Sequence, residues 1–402
     1  MTNRILRRRP AGLLALTLVA LTGAGARGDE SRWVGTWAAS PQRTEPANMP
    51  PAPGLADATL RQVVHVSLGG RRLRVRFSNA FGAKPLTILS AHVATPAGGA
   101  AIRAESRKPL AFGGRSSVTI PQGAPVVSDP IDFDLAPLSD LAVTVRVKDS
   151  TDAITGDPGA RCTSYLQAGD AVAEPDLPRA ARTPHWYYLC GVDVDAPDSQ
   201  AAAVAVLGDS ITDGRGSPTD GNGRWTDHLA RRLHEREGTA RVGVLNQGLG
   251  GNRLLNDGLG PNSLARLDRD VLAQPGVRWL VVLEGINDLG TRSATARDLI
   301  GAYEQIIRRA HARGIKTYGA TILPCEGSFY FKPELEAARQ EVNAWIRGSG
   351  RFDAVIDFDA ATRDPQQPSR LSAAADGGDH LHPGPEGYQT MAGVVNLKLF
   401  GK

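Results

Sequence analysis

The sequence predicts two architectures in series: an all-β domain of jelly-roll or β-sandwich type over residues 31–198, then a three-layer α/β/α domain over 200–402. Three observations predict them. Apolar residues alternate strictly in the first half, short continuous apolar runs alternate with helical periodicity in the second, and the pattern changes after VDVDAPDSQ at 192–200. A chain of 402 residues also exceeds what one ordinary core organises.

The N-terminus is set aside first. Residues 1–26 read as an export signal, with a basic start at Arg4, Arg7, Arg8 and Arg9, an apolar run, and Ala24-Gly25-Ala26 as a cleavage site. The run is too short and too interrupted for a membrane span, so the mature chain is expected to lack one and to be periplasmic or secreted. The segment holds four arginines and no acidic residue, so the formal charge of +4 falls to zero on its removal. Nucleic-acid binding thereby loses its electrostatic support.

In the β half, VVHVSLGGRRLRVRF puts Val64, Val66 and Leu68 on one face, then Leu73, Val75 and Phe77 after Gly69-Gly70, which predicts a hairpin. Val143, Val145 and Val147 repeat the alternation in LAVTVRVK. Arg72, Arg74 and Arg76 read as a solvated strand face. Cys162 and Cys190 lie near the end of this domain, where an exported protein can oxidise them to a disulfide; Cys325 reads as a small buried hydrophobe. Trp33, Trp37 and Trp186 read as packing residues, with sugar stacking as the alternative.

In the second half, runs at 202–207, 242–246, 277–283, 316–323 and 354–358 suit buried parallel strands. Between them Trp225, Leu229 and Leu233 recur at helical spacing, as do Leu299, Ala302, Tyr303 and Ile306, and later Tyr388, Met391, Ala392 and Val395. In such sheets functional groups gather beyond the carboxyl ends of the strands.

Three segments fall at such positions, and a fourth stands near the C-terminus. The first strand runs into Gly208-Asp209-Ser210, which by itself reads more readily as a turn or helix cap than as a nucleophile site. The second runs into NQGLGGNRLL, 246–255, where glycines let backbone N–H groups approach a ligand; no Gly-Lys-Ser/Thr follows, so a nucleotide loop is disfavoured. The third ends in EGINDLG, 284–290, where Asn287 offers a neutral amide donor suited to an oxyanion. Near the C-terminus, DGGDHLHPGPEGY supplies His382 as a general base and Asp379, three residues before it on one helical turn, to orient it. His380 is the rival base, and its position beside Asp379 should project it elsewhere.

Together these blocks resemble the SGNH/GDSL hydrolase family: Gly208-Asp209-Ser210, Asn246-x-Gly248-x-x-Gly251, Gly285-x-Asn287-Asp288 and Asp379-x-x-His382, in the family's order over roughly 200–400. The resemblance implies a flavodoxin-like domain with five parallel strands. It makes Ser210 the nucleophile, His382 the base and Asp379 its orienter, with an oxyanion hole from the N–H groups of Ser210 and Gly251 and the Asn287 side chain. Asp209 and Asp288 are then expected to hold turns. No Gly-x-Ser-x-Gly occurs, which argues against a nucleophile elbow. GTWAASPQ, LRQVVHVSLGG and VRFSNAFG resemble the β-domain that precedes exported arylesterase-like and acetylxylan esterase-like members.

The expected function is removal of acyl groups, acetyl foremost, from a carbohydrate or a small ester, with no metal or organic cofactor. Arylesterase or short-chain lipase-like action stays open as the alternative within that chemistry. A non-catalytic glycan-binding protein would not need the aligned Ser, Asn, Asp and His. A glycosidase would need two carboxylates, for which Asp213 and Glu284 are available. Oligomeric state is not legible.

Overall fold

The first half folds as two antiparallel sheets whose apolar faces meet. In the computed structural model, which describes residues 1–2, 32–196 and 200–401, one sheet runs in the order β1 (Trp33–Ala38), β7 (Leu189–Asp195), β3 (Gly70–Ser78) and the short strand Pro125–Val127. The other centres on β6 (Ser164–Ala168), β2 (Ala58–His65), β5 (Asp140–Val147) and β4 (Leu86–Ala94), in that order. Leu60 and Val64 of β2, Val75 and Phe77 of β3, Ile88 of β4 and Val143 of β5 are fully buried in one core. Each such side chain contributes about 1.5–3 kcal/mol by leaving water. The expected export signal lies outside the described residues apart from Met1 and Thr2.

The hairpin expected at Gly69-Gly70 does not form: β2 and β3 belong to opposite sheets. Two strands facing each other across a sandwich show the same inward alternation as two strands paired in one sheet, so periodicity does not separate the cases. The glycines serve close approach instead. A Cβ on Gly69 would stand 2.5 Å from the Leu135 carbonyl oxygen, and one on Gly70 2.9 Å from Val194 Cβ.

The arginine stripe of β3 is not a solvated face either. Arg74 and Arg76 both pair with the buried Asp193 of β7, at 2.9 and 3.2 Å, and Arg72 pairs with Asp195 at 3.2 Å. The three cysteines are free. The Cys162 thiol reaches the Val63 carbonyl at 3.1 Å and the Cys190 thiol the Arg76 carbonyl at 3.5 Å, on different sheets, so the disulfide considered above is not present. Burial pushes these thiols up to about 12 and about 11.

The second half is a five-stranded parallel sheet of β8 (Ala202–Gly208), β9 (Val242–Gly248), β10 (Val277–Leu283), β11 (Lys316–Ala320) and β12 (Ala354–Ile356). Its order, β9-β8-β10-β11-β12, is the doubly wound order that switches direction at the first strand. β12 stops short of the expected residue 358 because Asp357 caps the next helical turn, accepting from the Ala360 N–H. The expected helical stripes lie on α1 (Trp225–Glu235), α2 (Ala296–His311) and α4 (Pro385–Val394), with Trp225, Leu229, Leu233, Leu299 and Tyr388 at zero exposure. A further helix, α3 (Pro333–Gly348), packs Leu335, Val342 and Ile346 into the same layer as α2.

Ser31–Lys402 packs as one compact unit. β9 is an edge strand, and the sandwich covers it. The Val244 N–H donates to Ser67 Oγ at 2.9 Å, and Gly35 and Gly243 lack the side chains that would separate the two backbones. The sandwich is thus built against the side of the sheet where the Ser210 strand lies. No described helix is long and apolar enough to cross a membrane.

Candidate active site

β8 delivers the chain to Asp209, which takes an extended conformation and accepts from the Ile211 N–H at 2.9 Å, so that Ser210 begins the one-turn helix Ser210–Asp213. Ser210 Oγ lies 2.9 Å from His382 Nε2, and His382 Nδ1 lies 2.7 Å from Asp379 Oδ2. Both Ser210 and His382 are buried, whereas the Asp379 carboxylate is partly exposed. Residues 379–382 form a bend rather than the helical turn expected from their spacing. Asp379 Oδ1 accepts the N–H groups of Leu381 and His382, at 3.0 and 2.8 Å, and this brings the two side chains together.

The electrostatics favour a neutral imidazole. Burial pushes His382 below its ordinary value; Asp379 opposes this, while Arg215 and Arg161 reinforce it. Burial tends to raise Asp379, but its hydrogen bonds with His382 and the Leu381 N–H outweigh that and hold the carboxyl low. The rival base, His380, has φ of 60° and turns its ring to Asp376, away from Ser210.

Asn287 lies on the turn after β10, where Gly285 at φ of 113° reverses the chain. Its Nδ2 donates to the Asn252 carbonyl at 2.9 Å and has only a long contact, 3.4 Å, with Asp209 Oδ2. Its Oδ1 accepts from the Tyr330 hydroxyl at 3.0 Å. Gly251, with φ of 65°, lies on the neighbouring loop after β9. Neither the Ser210 nor the Gly251 N–H meets a protein acceptor among the described residues. Asn246 clamps the loops by donating to Thr212 O at 2.7 Å, and Asp288 holds the second loop through the Leu254 N–H at 2.9 Å.

Beneath the site lies a charge cluster that the motifs did not reveal. Arg266, wholly buried, donates to Asn252 Oδ1, Gly208 O, Gln247 O and Ser40 Oγ, and pairs with Asp270 at 3.1 Å and Glu284 at 3.4 Å. It joins the Ser210 strand, the loop leading from Gly251 and the sandwich through one side chain. Burial pushes Glu284 well above its ordinary range and Asp209 to about 7. Of the two glycosidase candidates, Glu284 is enclosed among Ser263 and Arg266, and Asp213 is buried within 3.6 Å of Arg161. Two carboxylates open to a sugar on either side are therefore not what Asp213 and Glu284 provide.

The sandwich also reaches this site. Asp220, in the loop after Ser210, accepts from the Thr163 N–H and hydroxyl, both at 2.6 Å, and returns its own N–H to Arg161 O at 3.0 Å. The tryptophans are packed: Trp37 and Trp186 are buried edge to face with centroids 4.8 Å apart, and Arg74 lies over Trp33 at 4.6 Å.

A five-stranded parallel sheet in this order, with a Gly-Asp-Ser turn after β8, fits the α/β domain of the GDSL hydrolases. Residues 206–390 match the GDSL-like lipase/acylhydrolase family. Similar solved structures cover about half of the chain. A GDSL-like lipase from Bacteroides thetaiotaomicron is 19% identical, with 49% of this chain and 87% of that one covered and a TM-score of 0.38. A lipolytic protein of the G-D-S-L family from Desulfitobacterium hafniense is 20% identical over 48% and 97%, with a TM-score of 0.39. An acetyl xylan esterase is 17% identical over 48% and 96%, at 0.36. No curated protein matches.

Proposed function

We propose that the protein is an exported serine ester hydrolase that removes acyl groups, acetyl foremost, from a carbohydrate or a small ester. The observation that carries this reading is the continuous hydrogen-bonded chain from Ser210 Oγ through His382 to Asp379 at the carboxyl end of the sheet. Ser210 attacks the ester carbonyl as His382 Nε2 takes its proton, and Asp379 stabilises the imidazolium that forms. The oxyanion is held by the N–H groups of Ser210 and Gly251 and by the Asn287 amide hydrogen that now makes only the long contact with Asp209. His382 then protonates the leaving alcohol, and water activated by the same ring releases the acid. Export rests on the sequence of residues 1–26.

Phe329, exposed beside Tyr330, favours the second reading, an aryl or short-chain ester. Acetate release from acetylated xylan, run beside p-nitrophenyl acetate hydrolysis in wild type and Ser210→Ala, decides between them. Loss of both activities in the variant supports the polysaccharide reading, and turnover of the small ester alone supports the second. Ester turnover that persists in Ser210→Ala defeats both.

A further inference from the structure

Two arginines flank the site with no carboxylate bound to either. Arg215 follows Ser210 by five residues, and its backbone is fixed there: its N–H donates to Ser210 O at 2.9 Å and its carbonyl accepts from the Tyr388 hydroxyl at 2.6 Å. The residue is exposed, and its guanidinium has no hydrogen-bond or ion-pair partner among the described residues. Arg253 follows Gly251 by two residues. Its Nη1 reaches Thr291 Oγ1 at 3.5 Å, and that hydroxyl donates to Asn287 O at 2.7 Å, so the guanidinium lies against the turn that carries Asn287. Its Nη2 donates to the Asp257 carbonyl.

The two cations act on common ground. Both bear on the Tyr330 hydroxyl, which donates to Asn287, and Arg215 bears on His382 as well. The acidic groups nearby are held by other donors: Asp379 by His382, Asp376 by His380, Asp257 by the N–H and amide of Asn262 and Asp288 by the Leu254 N–H, with Arg253 adding its charge to the last two without an ion pair. Arg161 differs in facing the buried Asp213. Two like charges beside one site repel, and a bound anion relieves that repulsion. A guanidinium also offers paired N–H donors that match a carboxylate.

We propose that the site selects esters bearing a carboxylate, with Arg215 holding it from beside Ser210 and His382 and Arg253 adding its charge from the side of Asn287. An acylated sugar with a uronic-acid carboxylate is an ester of this class. The proposal rests on the hydrolase reading above.

The test compares 4-acetoxybenzoate with its neutral methyl ester in wild type, Arg215→Gln, Arg215→Lys and Arg253→Gln, each checked for folding by thermal melting. The readout is the ratio of kcat/KM, charged over neutral, within each protein, which cancels the difference in leaving group. The ratio should fall about tenfold in Arg215→Gln, less in Arg253→Gln, and be partly kept in Arg215→Lys. In wild type it should fall as salt is raised. A ratio unchanged in both Gln variants overturns the specificity proposal while leaving the hydrolase reading intact. Failure of wild type to turn over either ester defeats the hydrolase reading, and the proposal with it.

Discussion

Replacing Asn287 by alanine separates catalysis from architecture, because the amide has one function toward each. As an oxyanion donor its loss costs about 3 kcal/mol of transition-state stabilisation, a fall of about 10²–10³ in kcat. As a structural group it leaves the Asn252 carbonyl, in a residue only 1% exposed, and the Tyr330 hydroxyl without their partners. Each unsatisfied group costs about 1–3 kcal/mol of stability. Asn287→Asp sharpens the comparison: it keeps an acceptor for Tyr330 but replaces the N–H donors with a carboxylate facing Asp209 Oδ2, so it should lose at least as much rate. Initial rates on p-nitrophenyl acetate, taken beside thermal melts, read both effects. A folded Asn287→Ala enzyme with kcat within about threefold of wild type would refute the oxyanion role.

Three further outcomes follow from the buried charges. His382 must be neutral to act and burial holds it below its ordinary value, so kcat/KM should fall in acid with a midpoint below about 6.5, and Arg215→Gln should move that midpoint upward; a pH–rate profile checks both. Asp209, raised to about 7 chiefly by burial, stays protonated in the folded state where the unfolded chain has already ionised. Its stabilising contribution in acid is therefore lost as pH rises between about 4 and 7, and melts of Asp209→Asn against wild type should show that pH dependence removed. Arg266→Met strips Asp270 and Glu284 of their common buried cation and should cost about 3–5 kcal/mol in urea unfolding; a loss below about 1 kcal/mol would contradict the role given to it.

The parallel strands were legible because burial on both faces writes them as unbroken apolar runs, and β10 occupies the expected residues 277–283. The place of Ser210 was legible because it follows a parallel strand, whereas His382 lies in the bend before α4 and was marked by the Asp379-x-x-His382 spacing. Pairing across the sandwich was not, since Leu73, Val75 and Phe77 show the same pattern whether β3 lies beside β2 or opposite it. Buried charge was hidden for a similar reason. Arg266 and Asp270 are spaced as an ordinary exposed helical pair, and only the packing of Ser40 and Glu284 around them shows otherwise. Tyr330 sits in a loop with no period, so its bond to Asn287 had no signal in the chain.

The central claim, that Ser210 is the nucleophile, is tested most directly by reacting the protein with a fluorophosphonate and locating the adduct by peptide mass spectrometry. The account predicts a single adduct on Ser210, absent in Ser210→Ala and formed far more slowly in His382→Ala, in parallel with the loss of ester turnover. An adduct on another residue that abolishes activity, or full turnover after Ser210 is labelled, would contradict it.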